Sequence, residues 1–500
     1  MLNLAEIIQT HPDSAPALIS RRQTTTYGTL RDQVAHLRGG LRELGLQPGD
    51  RVGILCANNW YFVVSYLASL GAGLVAVPMN PRAPSPELTH QLAHVGAKAV
   101  VAGPSARSAV GGLDRDALPD LSVIIGTGHE VSDGMVHLDD LLAADPAPIL
   151  ERSADDLAVL MFTSGTAGAP KAAMLSHGNL LWNLRQGEGA AASNGGSRSD
   201  DVYLGVIPFF HIFGLNVVLG FALSTGASVV LIERFDPSSA LEAVKVHGVT
   251  VVMGPPTMWA AWANLPDAEP DALRTVRLAV SGAAKLPKDV ALLIEDRFGV
   301  EIVEGYGLTE TSPLVASTFG TAAPTGSIGV PVPGVEMRIV DSDGNDVLVG
   351  DTGEIWVRSP GVFKGYWNDP EATSAVLTED GWLKTGDLGV VNDEGYVFLV
   401  DRKKDLIIVS GFNVYPTEVE DVLIEHPAVE AVAVVGVPHP HTGEAVKAYV
   451  VVAPGQSVEE DELIEFCAER IARYKCPTKI MFVEQLPHGI GGKVLRRALR

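Results

Sequence analysis

The chain is short of cysteine, short of basic charge and without a long unbroken apolar run. Each shortage removes a class of protein. Its 3 cysteines, Cys56, Cys467 and Cys476, are odd in number and mostly far apart. They make neither a disulfide framework nor a zinc-ligand spacing, so a reducing, cytoplasmic setting is expected. Lysine and arginine number 37 against 60 acidic residues, a formal charge of −23. Such a field repels nucleic acid and anionic lipid, and an anionic ligand would need cations gathered locally. The opening residues, Met1 to Pro16, lack the basic start and apolar core of a signal peptide. The most membrane-like stretch, Phe209 to Ile232, is interrupted by His211, Asn216 and Ser224-Thr225-Gly226. It reads as a buried helix followed by a buried strand, and no transmembrane span is expected. Peripheral membrane contact and oligomeric state stay open.

What is present is core material and turns. The 500 residues are 46% hydrophobic and 19% charged, with 52 glycines and 32 prolines. That suits roughly three domain-sized units. The stretch Leu157 to His177 stands out. Leu157 to Phe162 is an apolar run of strand length, and it breaks into Thr163-Ser164-Gly165-Thr166-Ala167-Gly168-Ala169-Pro170-Lys171. Three hydroxyls, an ammonium and two glycines with no carboxylate suit an anion nest, and a polyphosphate is the natural guest. An ordinary surface turn is the plain alternative. The loop is not that of kinases and GTPases, because Pro170 precedes the lysine and Ala172 follows it.

In chain order, residues 1–150 alternate strands (Val52–Cys56, Gly73–Met79, Ala97–Ala102, Leu121–Gly126) with helices (Asn59–Ala72, Ser85–Val95). This predicts parallel sheet with covering helices. Gly187 to Asp200 reads as a surface loop, and Asp201 to Phe209 as a strand leading to Pro208-Phe209-Phe210-His211-Ile212-Phe213-Gly214. Strands are expected at Ser228–Ile232, Val249–Met253 and Val276–Ser281, the last running into Gly282-Ala283-Ala284. Glu301 to Pro313 carries Glu304-Gly305-Tyr306-Gly307 and Thr309-Glu310-Thr311. An aromatic between glycines can lie against a base, and a Thr-Glu pair beside phosphates can hold magnesium. Residues 326–400 read as an antiparallel β subdomain, from Gly326–Gly334 to Gly395–Val400, with Asp387 at a glycine turn, Lys384-Thr385-Gly386-Asp387. Asp401-Arg402-Lys403-Lys404-Asp405 reads as a solvated linker. A small αβ unit follows, with capping-box spacing at Thr417 and Glu420 and a glycine-flexed Lys493 near the end.

Taken together and in order, TSGTAGAPK (163–171), FFHIFG (209–214), GYGLTE (305–310), GEIWVRSPGVFKGYW (353–367), KTGD (384–387), DRKKDLIIVSGFNVYP (401–416) and GGKVLRR (491–497) resemble the motifs of the adenylate-forming superfamily. That superfamily holds acyl-CoA synthetases, non-ribosomal adenylation domains and firefly-type luciferases. The resemblance implies an α/β fold: a large N-terminal domain, 1–401, of two α/β sheets plus a β subdomain, and a small mobile α+β domain, 402–500, hinged at Lys404. It implies attack of a carboxylate on the α-phosphate of ATP with magnesium, then transfer of the acyl group from the adenylate to the thiol of coenzyme A.

The resemblance also assigns roles. Thr163, Ser164, Gly165, Thr166, Gly168 and Lys171 would hold the β- and γ-phosphates. Ala283, Ala284, Glu304, Gly305 and Tyr306 would border the adenine. Thr309 would touch the α-phosphate and Glu310 would hold magnesium. Asp387, aided by Arg402, would take the ribose hydroxyls. Lys493 would bridge carboxylate and α-phosphate, and Ser410, Gly411 and Phe412 would face the site in the second step. His211 would sit at the mouth of the acyl pocket.

Two departures stand out. Ala167 replaces a usual hydroxyl and Ala172 a usual glycine, and the tail reads HGIGGK where the family usually has Arg and Thr before Gly-Lys. Losing one hydroxyl costs about 1 kcal/mol of binding, so a modest effect is expected. Amino-acid-activating relatives carry an aspartate in the stretch matching 208–214; here His211 and aromatics point to an uncharged acid. Phe209, Phe210, Ile212, Phe213 and Val217 would wall its pocket. A medium- or long-chain fatty acid is favoured over an aryl, coumarate-like acid. The alternatives are transfer to a carrier protein and a non-catalytic binding protein. The absence of an obvious insertion argues against the first, and Glu310, Asp387 and Lys493 against the second.

Overall fold

A computed structural model describes residues 2–20, 23–128, 131, 134–163, 171–194, 196–403, 405–410, 412–440, 442–489 and 493–500, the side chains of 187–194 excepted. Short apolar runs joined by helices build two large sheets. One has the strand order Val136–His137, Val123–Gly126, Ala99–Ala102, Arg51–Leu55, Val75–Pro78, Leu157–Thr163, Lys171–Ser176. All its pairings are parallel except the last, where Leu157–Thr163 and Lys171–Ser176 form an antiparallel hairpin. The other is nine-stranded, with a parallel centre of Ile302–Gly307, Leu278–Ser281, Val251–Gly254, Val202–Gly205, Ser228–Leu231 and Pro16–Ser20. Side chains of both sheets and of the helices between them share one apolar core. The helix Trp60–Gly71 lies within it, buried from Phe62 onward and capped by Asn59, whose side chain accepts from the Phe62 amide. A helix apolar on all sides must be enclosed, and this one is.

Glu336–Val340, Gly353–Arg358, Leu383–Val391 and Val397–Arg402 form a four-stranded antiparallel sheet. A five-stranded unit follows, from Ile407–Val409 to Lys479–Phe482, with its own core under the helices Pro416–Leu423 and Glu460–Ala468. Cys56, Cys467 and Cys476 are buried thiols. Among the described residues no helix is long and apolar enough to cross a membrane.

Four expectations are corrected. The loop expected from Gly187 is helical as far as Asn194, because the helix starting at His177 continues through the small residues. The strand expected at Gly326–Gly334 shrinks to Val330–Pro331 and pairs with Leu314–Ser317 at the edge of the nine-stranded sheet, outside the antiparallel subdomain. Asp387 lies within a strand, not at a turn. The capping box does not form: Pro416 takes the first helical position, Thr417 turns to Asp401, and Glu420 is drawn to Arg496.

The entrances to the parallel strands are tied by one buried carboxylate. Asp201, just before Val202–Gly205, accepts from Thr250 Oγ1 at 2.7 Å, from Arg277 Nε at 2.7 Å and from the Arg198 amide at 2.7 Å. Thr250 and Arg277 stand just before the next two strands. Burial pushes the Asp201 carboxyl upward, but these donors outweigh it and hold it below its ordinary value. The stabilisation is therefore full above the unfolded carboxylate range and fades as pH falls through the lowered native value. Asp201→Asn is expected to lower unfolding stability by about 3 kcal/mol near neutral pH, measured by urea denaturation, since it leaves the Arg277 charge uncompensated.

Candidate active site

The parallel strands Val251–Gly254, Leu278–Ser281 and Ile302–Gly307 open at their carboxyl ends onto a cavity of about 1000 Å³. Open α/β sheets place ligands there. The cavity collects Thr163 and Lys171 from the hairpin mouth, His211, Ala283, Gly305, Tyr306, Thr309 and Glu310, then Arg402, and Lys493 from the tail. These 10 positions come from six separated stretches of sequence. Their charge is the reverse of the chain's. Among the described residues, Lys171, Lys384, Arg402, Lys403, Lys493 and Arg497 line the cavity with Glu87 and Glu310, while Asp387 and Glu354 stand behind the lining, paired with Arg402 and Lys403. Low-dielectric walls focus that positive field on whatever enters.

One wall is a buried hydrogen-bonded chain. Tyr306 O–H donates to Asp387 Oδ2 at 2.7 Å, and Arg402 Nε lies 2.9 Å from Asp387 Oδ1. The pairing follows from register, since Asp387 stands opposite Arg402 in the antiparallel sheet. Gly386 has φ 71°, and the ladder with Gly353–Arg358 shifts register around it, between Lys384 and Leu388. That bulge re-aims Asp387 toward the cavity wall. Burial and the Asp387 charge raise the Tyr306 hydroxyl well above its ordinary value, so it stays a donor. Glu354 backs the bulge, accepting from the Gly386 amide at 3.2 Å and from Lys403 Nζ at 3.0 Å.

The opposite wall joins the hairpin to Glu310. Residues 363–367 run beside Lys171–Ser176, with Lys364 N–H to Met174 O and Trp367 N–H to Ala172 O, while Phe363 N–H reaches Glu310 O at 2.9 Å. Tyr366 O–H donates to Glu310 Oε1 at 2.7 Å, and Lys171 Nζ lies 5.1 Å from the Tyr366 ring centre. Tyr366 lies within GEIWVRSPGVFKGYW, whose sequence assigns it no role; only the return of 363–367 to the hairpin reveals its contacts. One carboxylate beside Thr309 fits magnesium, which keeps several waters and binds through one or two carboxylates plus substrate phosphates. Among the described residues no group of three His, Cys, Asp or Glu could hold an ion by itself.

The third region is apolar. Val217, Phe221, Met253, Leu278, Val280 and Val303 line it, and Glu304, next to Val303, is not among the lining residues. The segment Phe213–Gly220 is π-helical, a form frequent at functional sites, and is held by Asn216, whose amide reaches Ser312 O at 2.8 Å and Leu180 O at 3.3 Å. Ala283, at φ 71°, is strained for a residue with a Cβ, and it lines the cavity. His211 stands where this region meets the cationic one. Burial, with the nearby Lys493 charge, lowers its pKa to about 4, and its Nδ1 accepts from the Phe213 amide at 3.3 Å. At neutral pH it is an uncharged imidazole.

Other named positions are not brought to the cavity. Glu304 turns its carboxylate to the Leu286 amide at 3.3 Å, and Ala284 lies beside the lining, not in it. Ser410 N–H bonds Thr442 O at 2.8 Å, and Phe412 is exposed against Tyr474. Ser164, Gly165, Thr166, Gly168, Lys404 and Gly411 lie outside the described residues. The charge run 401–405 is no solvated linker: Asp401 and Asp405 are buried, and Arg402 and Lys403 pair with Asp387 and Glu354.

Residues 4–367 match the model of the AMP-binding enzyme family, and residues 418–493 that of the AMP-binding enzyme C-terminal domain. A feruloyl-CoA synthase from Amycolatopsis sp is 41% identical over 95% of this chain and 93% of that protein. A long-chain-fatty-acid–CoA ligase from Bacillus subtilis (strain 168) is 35% identical over 98% and 91%. The crystal structure of ATP-bound MatB from Rhodopseudomonas palustris superposes with a TM-score of 0.91 at 33% identity, covering 100% of this chain and 98% of that one. With matches along nearly its full length in sequence and in fold, the chain belongs to the AMP-binding enzyme family, in the AMP-forming acid–CoA ligase branch of the adenylate-forming superfamily.

Proposed function

We propose that the chain joins an apolar carboxylic acid to coenzyme A through an acyl adenylate. The observation that carries this reading is the division of one cavity into a cationic end and an uncharged apolar end, with Lys493 and His211 at the junction. In the first step a carboxylate oxygen attacks the α-phosphorus of ATP, and the bond to the β-phosphate oxygen breaks to release pyrophosphate. Little covalent work falls to the protein, so positioning and charge dominate. Lys171 and the hairpin loop hold the departing phosphates. Tyr306, Asp387 and Arg402 fix the nucleoside, Asp387 through the ribose hydroxyls. Lys493 draws carboxylate and α-phosphate together against their mutual repulsion. Thr309 and Glu310 would hold magnesium, which when bound neutralises phosphate charge. In the second step the thiol sulfur attacks the acyl carbon and AMP leaves. Residues 402–500 form the moving unit, and the edge at Ser410, Gly411 and Phe412 replaces Lys493 at the site. Named CoA ligases among the relatives support CoA over a carrier protein as acceptor.

For the acid itself, an aryl acid of the feruloyl kind comes first. Phe213 packs on the Gly282 backbone, where an added Cβ would come 3.1 Å from the ring, and both line the cavity, so the ring offers an aromatic wall. The 41% identity to a feruloyl-CoA synthase supports the same choice. The medium- or long-chain fatty acid favoured by the motif reading is second, supported by the aliphatic lining and the 35% identity to a long-chain-fatty-acid–CoA ligase.

Incubation with ATP, CoA and a panel of acids should give thioesters of hydroxycinnamic acids with kcat/KM above that for fatty acids, read by mass. A preference for fatty acids reverses the order of the two readings, and pyrophosphate release without thioester rejects CoA as acceptor. Lys493→Ala should slow adenylate formation by about a hundredfold or more while sparing thioester formation from supplied acyl-adenylate. Equal loss of both steps contradicts its role. Because the His211 pKa is lowered to about 4, the imidazole is neutral throughout the physiological range. The pH profile of adenylation should therefore have the same shape in wild type and His211→Gln; a limb near the ordinary histidine value that vanishes in the variant would refute this.

A further inference from the structure

Arg496 is half-buried among three carboxylates at the root of the tail that carries Lys493. Its guanidinium grips Glu420 with both prongs, Nε to Oε1 at 3.2 Å and Nη2 to Oε2 at 2.7 Å. Nη1 stands 3.6 Å from Asp401 Oδ1 and 3.6 Å from Asp405 Oδ2. Arg500 adds a bond of 3.0 Å to Asp405 Oδ1. The three carboxylates belong to different segments. Asp401 lies in the strand Val397–Arg402 of the antiparallel subdomain, Glu420 in the helix Pro416–Leu423, and Asp405 between them.

Two of these carboxylates are fixed by other donors. Asp401 Oδ2 accepts from Thr417 N–H at 2.9 Å and from its hydroxyl at 3.0 Å. Glu420 Oε1 accepts from Val434 N–H at 2.7 Å. The clamp is thus preorganised for a planar, forked cation, and a lysine would fill it with one point charge. Lys493 is three residues upstream, and three residues span at most about 11 Å. The tail is folded back as well, with Leu495 N–H on Pro487 O and Gly489 N–H on Lys493 O. Where Arg496 is held therefore limits where Lys493 can reach. The contact to Asp401 matters most, because it ties the tail to the subdomain that also carries Asp387.

We propose that Arg496 is a positioning residue: clamped by Asp401, Asp405 and Glu420, it sets Lys493 in the cavity for adenylate formation and plays no part in thioester formation. The proposal rests on the reading of Lys493 as the adenylation lysine. Arg496 touches no reacting atom in this scheme. Its effect is on the geometry of one ammonium, and a displacement of about 1 Å in a reacting group can cost about a hundredfold in rate.

The test uses the full-length protein and two assays, pyrophosphate release from ATP and the best acid of the panel, and acyl-CoA formation from supplied acyl-adenylate. Arg496→Met should lower the first kcat by about tenfold to a hundredfold, leave the KM for ATP within about twofold, and leave the second assay within about twofold. Arg496→Lys should recover part of the loss, and Asp401→Asn should show a smaller loss of the same selectivity. Equal loss in both assays overturns the proposal, as does wild-type adenylation in Arg496→Met while Lys493→Ala is inactive in that step. If Lys493→Ala itself forms adenylate normally, the reading beneath the proposal falls, and the proposal with it. Should Arg496→Met not fold, Asp401→Asn decides: selective loss supports the clamp, and unselective or absent loss overturns it.

Discussion

An acidic protein has to hold an anion against its own field, and the structure answers by concentrating cations in one cavity. The chain carries −23, yet among the described residues six lysines and arginines line the site with two carboxylates, Glu87 and Glu310. No single stretch supplies them. Lys171 comes from a hairpin, Lys384, Arg402 and Lys403 from the antiparallel subdomain, and Lys493 and Arg497 from the tail. The fold brings these segments to the same sheet edge, and it pairs two of the cations, Arg402 and Lys403, with Asp387 and Glu354.

The carboxylates near the cavity are restrained in a consistent way. Asp387 is pinned by Tyr306 and Arg402, Glu310 is held by Tyr366, and Glu354 takes Lys403 and a backbone amide. Farther out, Asp401, Asp405 and Glu420 converge on Arg496. A buried charge must be paired and hydrogen-bonded, or it moves or neutralises. The same pairing that makes burial tolerable also fixes geometry, and the chemistry proposed here depends on geometry more than on reactive side chains.

Much of the fold could be read along the chain. Strands such as Arg51–Leu55 and helices such as Trp60–Gly71 and Ser85–Val95 fall where apolar periodicity put them, because each buries its own side chains against a neighbour. The misreadings share one cause. Gly386 reads as turn punctuation beside Asp387, yet a bulge against Gly353–Arg358 keeps Asp387 in a strand. The run 401–405 looked solvated because its charges are adjacent in sequence, while their partners Asp387, Glu354 and Arg496 lie far along the chain. Thr417 and Glu420 had capping spacing, but stronger distant partners took both side chains.

The sequence by itself determined the class of sheet, the family motifs and the residue types available to bind a nucleotide. Those depend on local periodicity, turn chemistry and the order of short segments. Only the tertiary structure decided that Tyr366 joins Glu310 to the hairpin, that His211 is uncharged beside Lys493, and that Arg496 anchors the tail. Each of these is a contact between segments distant in sequence, and its strength comes from burial, which no local pattern of residues can report.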